Sequence, residues 1–317
     1  MTDTQNEVFK TPVNKIRLFE HGAPGSQNLK LTRKYYTEDM LDGRVKHIVQ
    51  NITDPDIVPY IPDGIGNSTD RQRIPAVLII PGGAFRRLVY NFEGEDVAKW
   101  LNSMGIAAFV LECRLPSDEH DNAEDVPLID TMRAMRVIRG RAQEFGIDEA
   151  KIGVMGFSAG GFMAALLSTA YESDVYADYK YKDEYDKLSA RPDFAVCSYP
   201  VISIDDCIEA GKRYMSEEQV LERISDSKAK ILHKYNPDKL VRPDMPPVFI
   251  CETDDDRTTL SENSVGFYMA ARKAGVSAEL HIFRTGGHGY GCGDDFAQTG
   301  EWKVLFTKWI KSIGIIS

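Results

Sequence analysis

The chain has 317 residues, of which 43% are hydrophobic and 27% are charged, a composition that is ordinary for a folded globular protein and argues against disordered and fibrous classes. The 38 lysines and arginines are outnumbered by 48 aspartates and glutamates, so the formal net charge is −10 with histidine neutral. An acidic chain without a basic run is poorly suited to nucleic acids or anionic membranes, and we predict neither as a partner.

Short apolar runs alternate with amphipathic stretches along most of the chain, after a polar and irregular first segment, residues 1–70. We interpret this segment as an N-terminal extension that wraps the core or forms edge strands. The run 74–80 is nearly continuously apolar and ends at Pro81-Gly82-Gly83, which is typical of a strand buried on both faces. The same pattern predicts strands at residues 106–111, 152–156, 194–199, 248–252 and 278–283, and helices near residues 93–104, 132–146, 262–273 and 301–313 and from residue 162.

Strands that alternate with helices of about 10 to 20 residues indicate βαβ units joined by right-handed crossovers. We therefore predict the α/β fold class, with a mostly parallel central sheet and helices on both of its faces. No internal repeat or low-complexity tract interrupts the pattern. At roughly 150 residues per domain the length allows one large domain or two small ones, and we take residues 1–317 as a single domain.

Two polar segments break the alternation, residues 171–191 and residues 205–244. The first is rich in Tyr, Asp and Lys. The second leaves the carboxyl end of a predicted strand, where open α/β sheets bind ligands. Two interpretations stay open for these segments: surface helices and loops, or a small lid-like insertion that shapes a substrate cleft.

The sequence also bears on the compartment. No apolar stretch approaches the roughly 18 residues that cross a bilayer, and the first residues lack the basic and apolar regions of a signal peptide. The five cysteines are odd in number, scattered and never in a CxxC pair, so neither a disulfide framework nor a zinc site is expected. We predict a cytoplasmic protein that holds no metal.

Residues 156–160 read Gly-Phe-Ser-Ala-Gly and fit the G-x-S-x-G pattern. A predicted buried strand precedes the motif and an apolar helix follows it, which is the context of a nucleophile elbow. In such an elbow a strained turn projects the serine hydroxyl above the sheet, and the free N–H groups of the helix N-terminus face the reaction centre. Nucleotide-binding turns are also rich in glycine, but neither G-x-G-x-x-G nor Gly-Lys-[ST] is present. Ser158 is therefore the candidate nucleophile.

A serine hydroxyl needs a base, which in this arrangement is a histidine that follows the serine and the acid in chain order. Three of the six histidines precede the motif. His233 lies in a polar, helix-like region before the last acid candidates, and His281 lies inside a predicted strand, where a structural role is expected. His288 follows that strand in a glycine-rich loop that can reach over the sheet edge, so it is the candidate base.

The acid is expected after the penultimate strand, where it would hold the His288 imidazole in the required tautomer. Three consecutive aspartates, Asp254, Asp255 and Asp256, follow that strand. Strand geometry does not separate Asp255 from Asp256, so both stay candidates. The aspartates that are not used are expected to cap the following turn or to pair with Arg257.

Acyl transfer to a serine also needs two N–H donors for the oxyanion. One is expected from Ala159, the residue after the nucleophile. The other is expected from the glycine-rich turn after the first long strand, where glycine lets the backbone approach the substrate closely. Gly83 or Ala84 is the candidate for this second donor.

Several stretches together resemble α/β-hydrolase esterases of the acetyl xylan esterase-like and hormone-sensitive-lipase-like group. They are residues 22–25, 81–85, 93–101, 156–161, 198–203 and 286–289, and the resemblance covers most of the chain. It implies an α/β-hydrolase fold with Ser158 as nucleophile, His288 as base, and Gly83, Ala84 and Ala159 at the oxyanion hole. Lipase relatives carry His-Gly-Gly-Gly where this chain has Pro-Gly-Gly-Ala at 81–84, which points to the carbohydrate-esterase side.

The resemblance also bears on the acid. Relatives carry Glu-Asn-Ser shortly after a pair of aspartates, and matching that triplet to Glu262-Asn263-Ser264 puts the acid on Asp256. This chain has one aspartate more than the pattern of the relatives, and Asp255 stays the alternative.

These features predict an esterase that hydrolyses short-chain esters, chiefly acetyl groups on a sugar or an imported oligosaccharide, through an acyl-enzyme and without a cofactor. The tyrosines of residues 171–191 would suit stacking on sugar faces. The alternative within the same chemistry is a general carboxylesterase or lipase-like enzyme for aryl or alkyl esters. A prolyl oligopeptidase-type peptidase would need a long gating domain, and a catalytically silent binding protein on this fold would be expected to lack Ser158 or His288.

Overall fold

The computed structural model describes residues 9, 14–40, 42–65, 73–213, 215–216, 218–220, 226–293 and 298–317. The strands within these ranges are β1 (Ile16–Arg17), β2 (Lys34–Asp39), β3 (Val45–Gln50), β4 (Asp56–Tyr60), β5 (Ile74–Ile80), β6 (Leu88–Val89), β7 (Ala107–Glu112), β8 (Ile147–Phe157), β9 (Ala195–Ser198), β10 (Val248–Thr253) and β11 (Ala278–Phe283). The helices are α1 (Asp96–Ser103), α2 (Val126–Gly140), α3 (Ala142–Phe145), α4 (Ala159–Ala170), α5 (Ile204–Lys212), α6 (Asp226–Lys234), α7 (Ser261–Lys273) and α8 (Trp302–Ser312). Within the predicted extension 1–70, residues 1–8, 10–13, 41 and 66–70 lie outside the described residues. The same holds for residues 214, 217 and 221–225 of the segment 205–244.

Eight strands form one sheet in the order β1-β4-β7-β5-β8-β9-β10-β11. The six strands from β7 to β11 in this order are parallel, and β4 and β1 join antiparallel at the β7 edge. The predicted α/β fold with a mostly parallel sheet is thus confirmed. From the predicted extension, β1 and β4 lie at one edge of this sheet, and β2 and β3 form a separate three-stranded sheet with β6.

The two crossover connections next to β5 lead to strands on opposite sides of it. β5 leads through α1 to β7 on one side, and β7 leads through α2 to β8 on the other side of β5. Because crossovers between parallel strands are right-handed, α1 and α2 cover opposite faces of the sheet. Ring contacts of Trp100 in α1 with Trp302 and Phe306 put α8 on the α1 face. Open α/β sheets bind ligands beyond the carboxyl ends of the strands at such a reversal, so the ends of β5 and β8 are where a site is expected.

Two predicted helices are divided in the structure. The helix predicted near residues 93–104 begins as one π-helical turn, Asn91–Glu95, and continues as α1. The helix predicted to end near Gly146 breaks at Arg141 into α2 and α3. Apolar periodicity reports which face of a helix is buried but not its hydrogen-bond register, so neither division could be predicted. None of the helices in the described ranges has the length and apolar character needed to span a membrane.

The tyrosine-rich segment 171–191 packs against α2. Arg133 of this helix donates to Asp183 at 2.7 Å and lies over the ring of Tyr185 at 5.5 Å. The segment begins at the end of α4, whose 12 residues extend about 18 Å from Ser158. These contacts favour the surface alternative over the lid for this segment.

The last residues of the segment 205–244 contact the tyrosine-rich segment, where Arg242 pairs with Glu172 at 2.7 Å. Other residues of the segment 205–244 lie elsewhere. Lys234 pairs with Asp125 at 2.7 Å, and Arg213 pairs with Glu262 at 3.0 Å. Asp125 follows β7 and Glu262 follows β10, so both partners lie beyond carboxyl ends of parallel strands. The parts of the segment around Arg213 and Lys234 therefore lie near the carboxyl ends of the strands, where β8 also ends, and the role of the segment as a lid stays a prediction.

A buried ion pair connects the N-terminal extension with the main sheet. Arg114, two residues after β7, pairs with Asp130 of α2 at 2.7 Å, and both side chains are fully buried. Arg114 also donates to the hydroxyl of Ser26 at 2.8 Å and to the carbonyl oxygen of Pro24. The pair thus holds residues 24–26 against the start of the α2 crossover.

Asp130→Asn is expected to lower the free energy of unfolding by about 3 kcal/mol, because it leaves the Arg114 guanidinium buried without its counter-charge. Urea denaturation measures this change. Glu144→Gln, which breaks the half-exposed pair of Glu144 with Arg141, is the control, and its expected effect is below about 1 kcal/mol. Equal effects of the two substitutions would contradict a dominant role for the buried pair.

Candidate active site

The turn between β8 and α4 carries Ser158 in a strained conformation. Its backbone angles, φ 54° and ψ −117°, lie outside the regions that residues with a Cβ normally adopt. Its N–H donates to the carbonyl oxygen of Ser198 at 3.0 Å, and its own carbonyl oxygen accepts from the N–H of Phe162 at 3.1 Å. The surrounding hydrogen bonds therefore hold the strained turn that a nucleophile elbow requires.

Glycines on both sides of the serine allow this turn to close. A Cβ on Gly156 would lie 2.0 Å from the carbonyl oxygen of Gly160, and a Cβ on Gly160 would lie 2.0 Å from that of Ile80. Both contacts involve backbone atoms, which cannot move aside as a flexible side chain can. The two glycines of the motif are therefore required by the close packing of β5, β8 and α4 around Ser158.

The glycine-rich loop after β11 brings His288 to Ser158. His288 Nε2 lies 2.8 Å from Ser158 Oγ, and Nδ1 lies 2.6 Å from Asp256 Oδ2. The imidazole also makes a T-shaped contact with the ring of Tyr199, with centroids 5.0 Å apart. The three predicted side chains lie in one hydrogen-bonded row, and their catalytic roles stay predictions.

The two acid candidates occupy different positions. Asp256 is buried and contacts His288. Asp255 accepts hydrogen bonds from the N–H groups of Gly286 and Gly287, at 2.9 and 2.8 Å. Asp255 thus anchors the loop that carries the histidine, whereas Asp256 faces the imidazole, and this geometry favours Asp256 as the acid.

Asp256 is surrounded by groups that favour its ionised form. Its Oδ1 accepts from the N–H groups of Thr258 and Thr259 at 2.7 and 2.9 Å. Burial raises the pKa of this carboxyl, but the hydrogen bond and charge of His288 and the two backbone donors outweigh burial, so the pKa lies below its usual value. An ionised Asp256 accepts the Nδ1–H of His288, which leaves Nε2 able to take a proton from Ser158.

The turn after β5 lies directly against the candidate nucleophile. A Cβ on Gly82 would be 2.9 Å from the Cβ of Ser158. Gly83 and Ala84, the next two residues, both have positive φ, 140° and 57°. Ala159 is the first residue of α4, and the first N–H groups of a helix have no partner within it. The candidate oxyanion donors therefore belong to two segments that meet at Ser158, and their role stays a prediction.

Sequence reasoning missed two buried residues of this region, Glu93 and Tyr199. Glu93 accepts from the N–H of Gly82 at 2.8 Å and from the hydroxyl of Tyr199 at 2.9 Å. Burial raises the pKa of the Glu93 carboxyl, and the charge of His288 and the two hydrogen bonds oppose this rise. Both residues lie in stretches that carried the family resemblance, which was the one signal available for them.

A further buried carboxyl, Glu252, lies at the end of β10 and accepts from the N–H of Thr253 at 2.9 Å. Burial and the charge of Asp256 raise the pKa of Glu252 well above its usual value, which favours its protonated form. The negative charge next to His288 therefore resides on Asp256. Within the described residues, no group of three or more His, Cys, Asp or Glu side chains is arranged to hold a metal ion.

A strained serine between a strand and a helix, with an acid and a histidine supplied by later strand ends, defines the α/β-hydrolase class. A comparison with protein families narrows this class. The family model described as BD-FAE matches residues 65–270, which is more than half of the chain. The chain belongs to the BD-FAE family.

Two curated relatives carry carbohydrate-related names. The chain is 31% identical over 240 residues to an acetylxylan esterase from Xylanibacter ruminicola, covering 75% of this chain and 45% of that protein. It is 31% identical over 227 residues to endo-1,4-beta-xylanase B of Butyrivibrio fibrisolvens, covering 71% of this chain and 34% of that protein. The chain therefore spans less than half the length of either relative.

Solved structures agree with this classification. An acetyl ester-xyloside bifunctional hydrolase from Caldicellulosiruptor lactoaceticus is 37% identical, with a TM-score of 0.69 over 84% of this chain and 91% of that chain. A carboxylesterase from Lactobacillus plantarum, 20% identical, has the same fold, with a TM-score of 0.66 over 90% of this chain and 99% of that chain. The predicted α/β-hydrolase fold and the predicted relationship to the acetyl xylan esterase-like group are confirmed.

Proposed function

We propose that the chain is a serine esterase that hydrolyses short-chain esters, chiefly acetyl groups on a carbohydrate. The observation that carries the proposal is the hydrogen-bonded row of Ser158, His288 and Asp256, with distances of 2.8 Å and 2.6 Å between successive side chains. Distances of this size let a histidine take a proton from a serine while a carboxylate holds the ring in place. The row supports acyl transfer through Ser158 without a cofactor, and the ester substrate is proposed from the relatives.

In the first half of the reaction, Ser158 Oγ forms a bond to the ester carbonyl carbon and gives its proton to His288 Nε2. The carbonyl oxygen becomes an oxyanion, which the N–H groups of Ala159 and of Gly83 or Ala84 would stabilise. His288 then donates the proton to the departing sugar oxygen as the C–O bond breaks. The product that stays bound is the acyl ester of Ser158.

In the second half, water takes the place of the sugar. His288 Nε2 accepts a proton from the water as its oxygen bonds to the acyl carbon, and the same proton returns to Ser158 Oγ when the acyl bond breaks. Asp256 stays ionised throughout and stabilises the imidazolium that forms in each half. The products are the free carboxylic acid and the unmodified serine.

Two observations support a small acyl group on a sugar. The names of the two curated relatives and of the Caldicellulosiruptor structure refer to xylan or xylosides, and two of them to acetyl esters. We call the turn after β5, residues 81–85, the oxyanion turn, since it holds the candidate donors Gly83 and Ala84. A small cavity between this turn and α4 touches Gly83 and Ala159 and is lined largely by apolar side chains, among them Leu88, Leu115 and Met163. Such a cavity suits the single methyl group of an acetyl ester.

The test is a panel of substrates. Acetate release is measured from acetylated xylo-, manno- and cello-oligosaccharides, beside chromogenic acetate, butyrate and octanoate esters. We expect acetate release from at least one acetylated oligosaccharide, and a kcat/KM for acetate at least about tenfold above that for butyrate, since the added methylenes exceed the small cavity.

A preference for the longer esters, together with no acetate release from any of the oligosaccharides, would contradict the carbohydrate proposal. It would favour the alternative, a general carboxylesterase for aryl or alkyl esters. Activity on acetylated xylo-oligosaccharides alone would identify the sugar.

A further inference from the structure

Glu93 lies between the oxyanion turn and the strand end that carries Tyr199. Each of its carboxylate oxygens accepts one hydrogen bond, Oε2 from the N–H of Gly82 and Oε1 from the hydroxyl of Tyr199. The residue is only 5% exposed. Burying a carboxylate costs free energy unless hydrogen bonds compensate for the lost water, so these two donors determine where the group sits.

The hydroxyl of Tyr199 extends this connection to the loop that carries His288. It accepts a hydrogen bond from the N–H of Gly291 at 3.0 Å, three residues after the histidine. A Cβ on Gly291 would be 2.6 Å from the carbonyl oxygen of Phe92, so the π-helical turn that carries Glu93 also packs directly on this loop. π-Helical turns occur frequently at functional sites. One buried carboxylate is thus connected to the oxyanion turn and, through one hydroxyl, to the histidine loop.

The ring of Tyr199 also contacts the candidate base. It makes a T-shaped contact with the His288 imidazole, with centroids 5.0 Å apart, while its hydroxyl donates to Glu93. Asp256 contacts the imidazole directly, whereas Glu93 is connected to it through Tyr199.

We propose that Glu93 is a positioning residue of the esterase reaction, which holds the oxyanion turn against the histidine loop through Gly82 and Tyr199. The inference rests on the proposed function, because it gives Glu93 a part in that same reaction. Glu93 acts through the groups that it holds and not by contact with the substrate.

Glu93→Ala tests this connection, because it leaves the N–H of Gly82 and the hydroxyl of Tyr199 without the oxygens that accept from them. We expect kcat for a chromogenic acetate ester to fall by about tenfold with KM within about twofold of wild type. Glu93→Gln keeps the size of the side chain and one acceptor oxygen, so it is expected to recover part of the lost kcat.

Two further variants test the link and its specificity. Tyr199→Phe removes the hydroxyl that joins Glu93 to the histidine loop and keeps the ring beside His288, so kcat is expected to fall severalfold. Glu95→Ala is the matched control, since it makes the same change two residues away, in a side chain that pairs with Lys99 at 2.7 Å on the outer side of the helix. It is expected to keep the wild-type kcat.

The wild type and Ser158→Ala are assayed beside these variants. Equal activity of those two contradicts the proposed function itself. An active wild type together with an unchanged kcat in a folded Glu93→Ala variant overturns only the role of Glu93. If thermal unfolding shows that Glu93→Ala is not folded, Tyr199→Phe decides the question: a severalfold loss of kcat supports the proposal, and a wild-type kcat overturns it.

Discussion

Ser158→Ala is expected to lower kcat for a chromogenic acetate ester by about five to six orders of magnitude, to the residual rate that oriented N–H donors alone support. The substitution removes the oxygen atom that forms the acyl-enzyme. Without it, His288 has no serine proton to accept, and the oxyanion turn has no serine-bound oxyanion to stabilise. The change should appear in steady-state kcat and in the loss of any burst of released alcohol. Because a single oxygen is removed, the thermal unfolding temperature should change little.

Ser168→Ala is the matched control for this prediction. Ser168 is buried in the same helix, α4, and its hydroxyl donates to the carbonyl oxygen of Ala164 at 2.7 Å. Its substitution is expected to keep kcat within about twofold of wild type, because no reacting group depends on this hydroxyl. A Ser158→Ala variant as active as the Ser168→Ala variant would rule out Ser158 as the nucleophile.

Asp256→Asn is expected to lower kcat by about four orders of magnitude while the protein stays folded. The amide nitrogen would donate to Nδ1 of His288, so the imidazole would carry its proton on Nε2 and face Ser158 with a donor instead of an acceptor. The imidazolium would also lose the charge that stabilises it. Steady-state kinetics with the chromogenic acetate ester measures the loss.

Asp255→Asn tests whether the effect belongs to this one aspartate. The side-chain oxygen of an asparagine can still accept from the N–H groups of Gly286 and Gly287, so the loop should keep its place. We expect kcat within about tenfold of wild type. A larger loss for Asp255→Asn than for Asp256→Asn would reverse the assignment of the acid.

The fold could be predicted from local patterns of apolar and polar residues in the sequence. Strands buried on both faces read as short apolar runs, and those from Ala278 to Phe283 and near Val248 were located within a residue or two. The chain order of serine, acid and histidine then limited the base to His288. These inferences depend on neighbours in sequence or on a fixed order of elements, and both can be read without coordinates.

The choice between Asp255 and Asp256 could not be made from strand geometry. The two residues are adjacent, follow the same strand and have the same chemistry, so only the path of the turn determines which carboxylate faces His288. The family resemblance favoured Asp256, and the contacts in the structure agree with it. The tyrosine-rich segment was also ambiguous, because tyrosines that pack on a helix and tyrosines that cover a cleft have the same composition.

By itself the sequence determined the α/β class, the strained serine turn and the order of the candidate triad, since each depends on the periodicity of one segment or on small residues at fixed spacing. Only the tertiary structure revealed that Glu93 and Tyr199, 106 positions apart, share a hydrogen bond beside Ser158. It also decided which aspartate meets the imidazole. A contact between distant residues depends on how elements pack, and no local pattern in the chain records that packing.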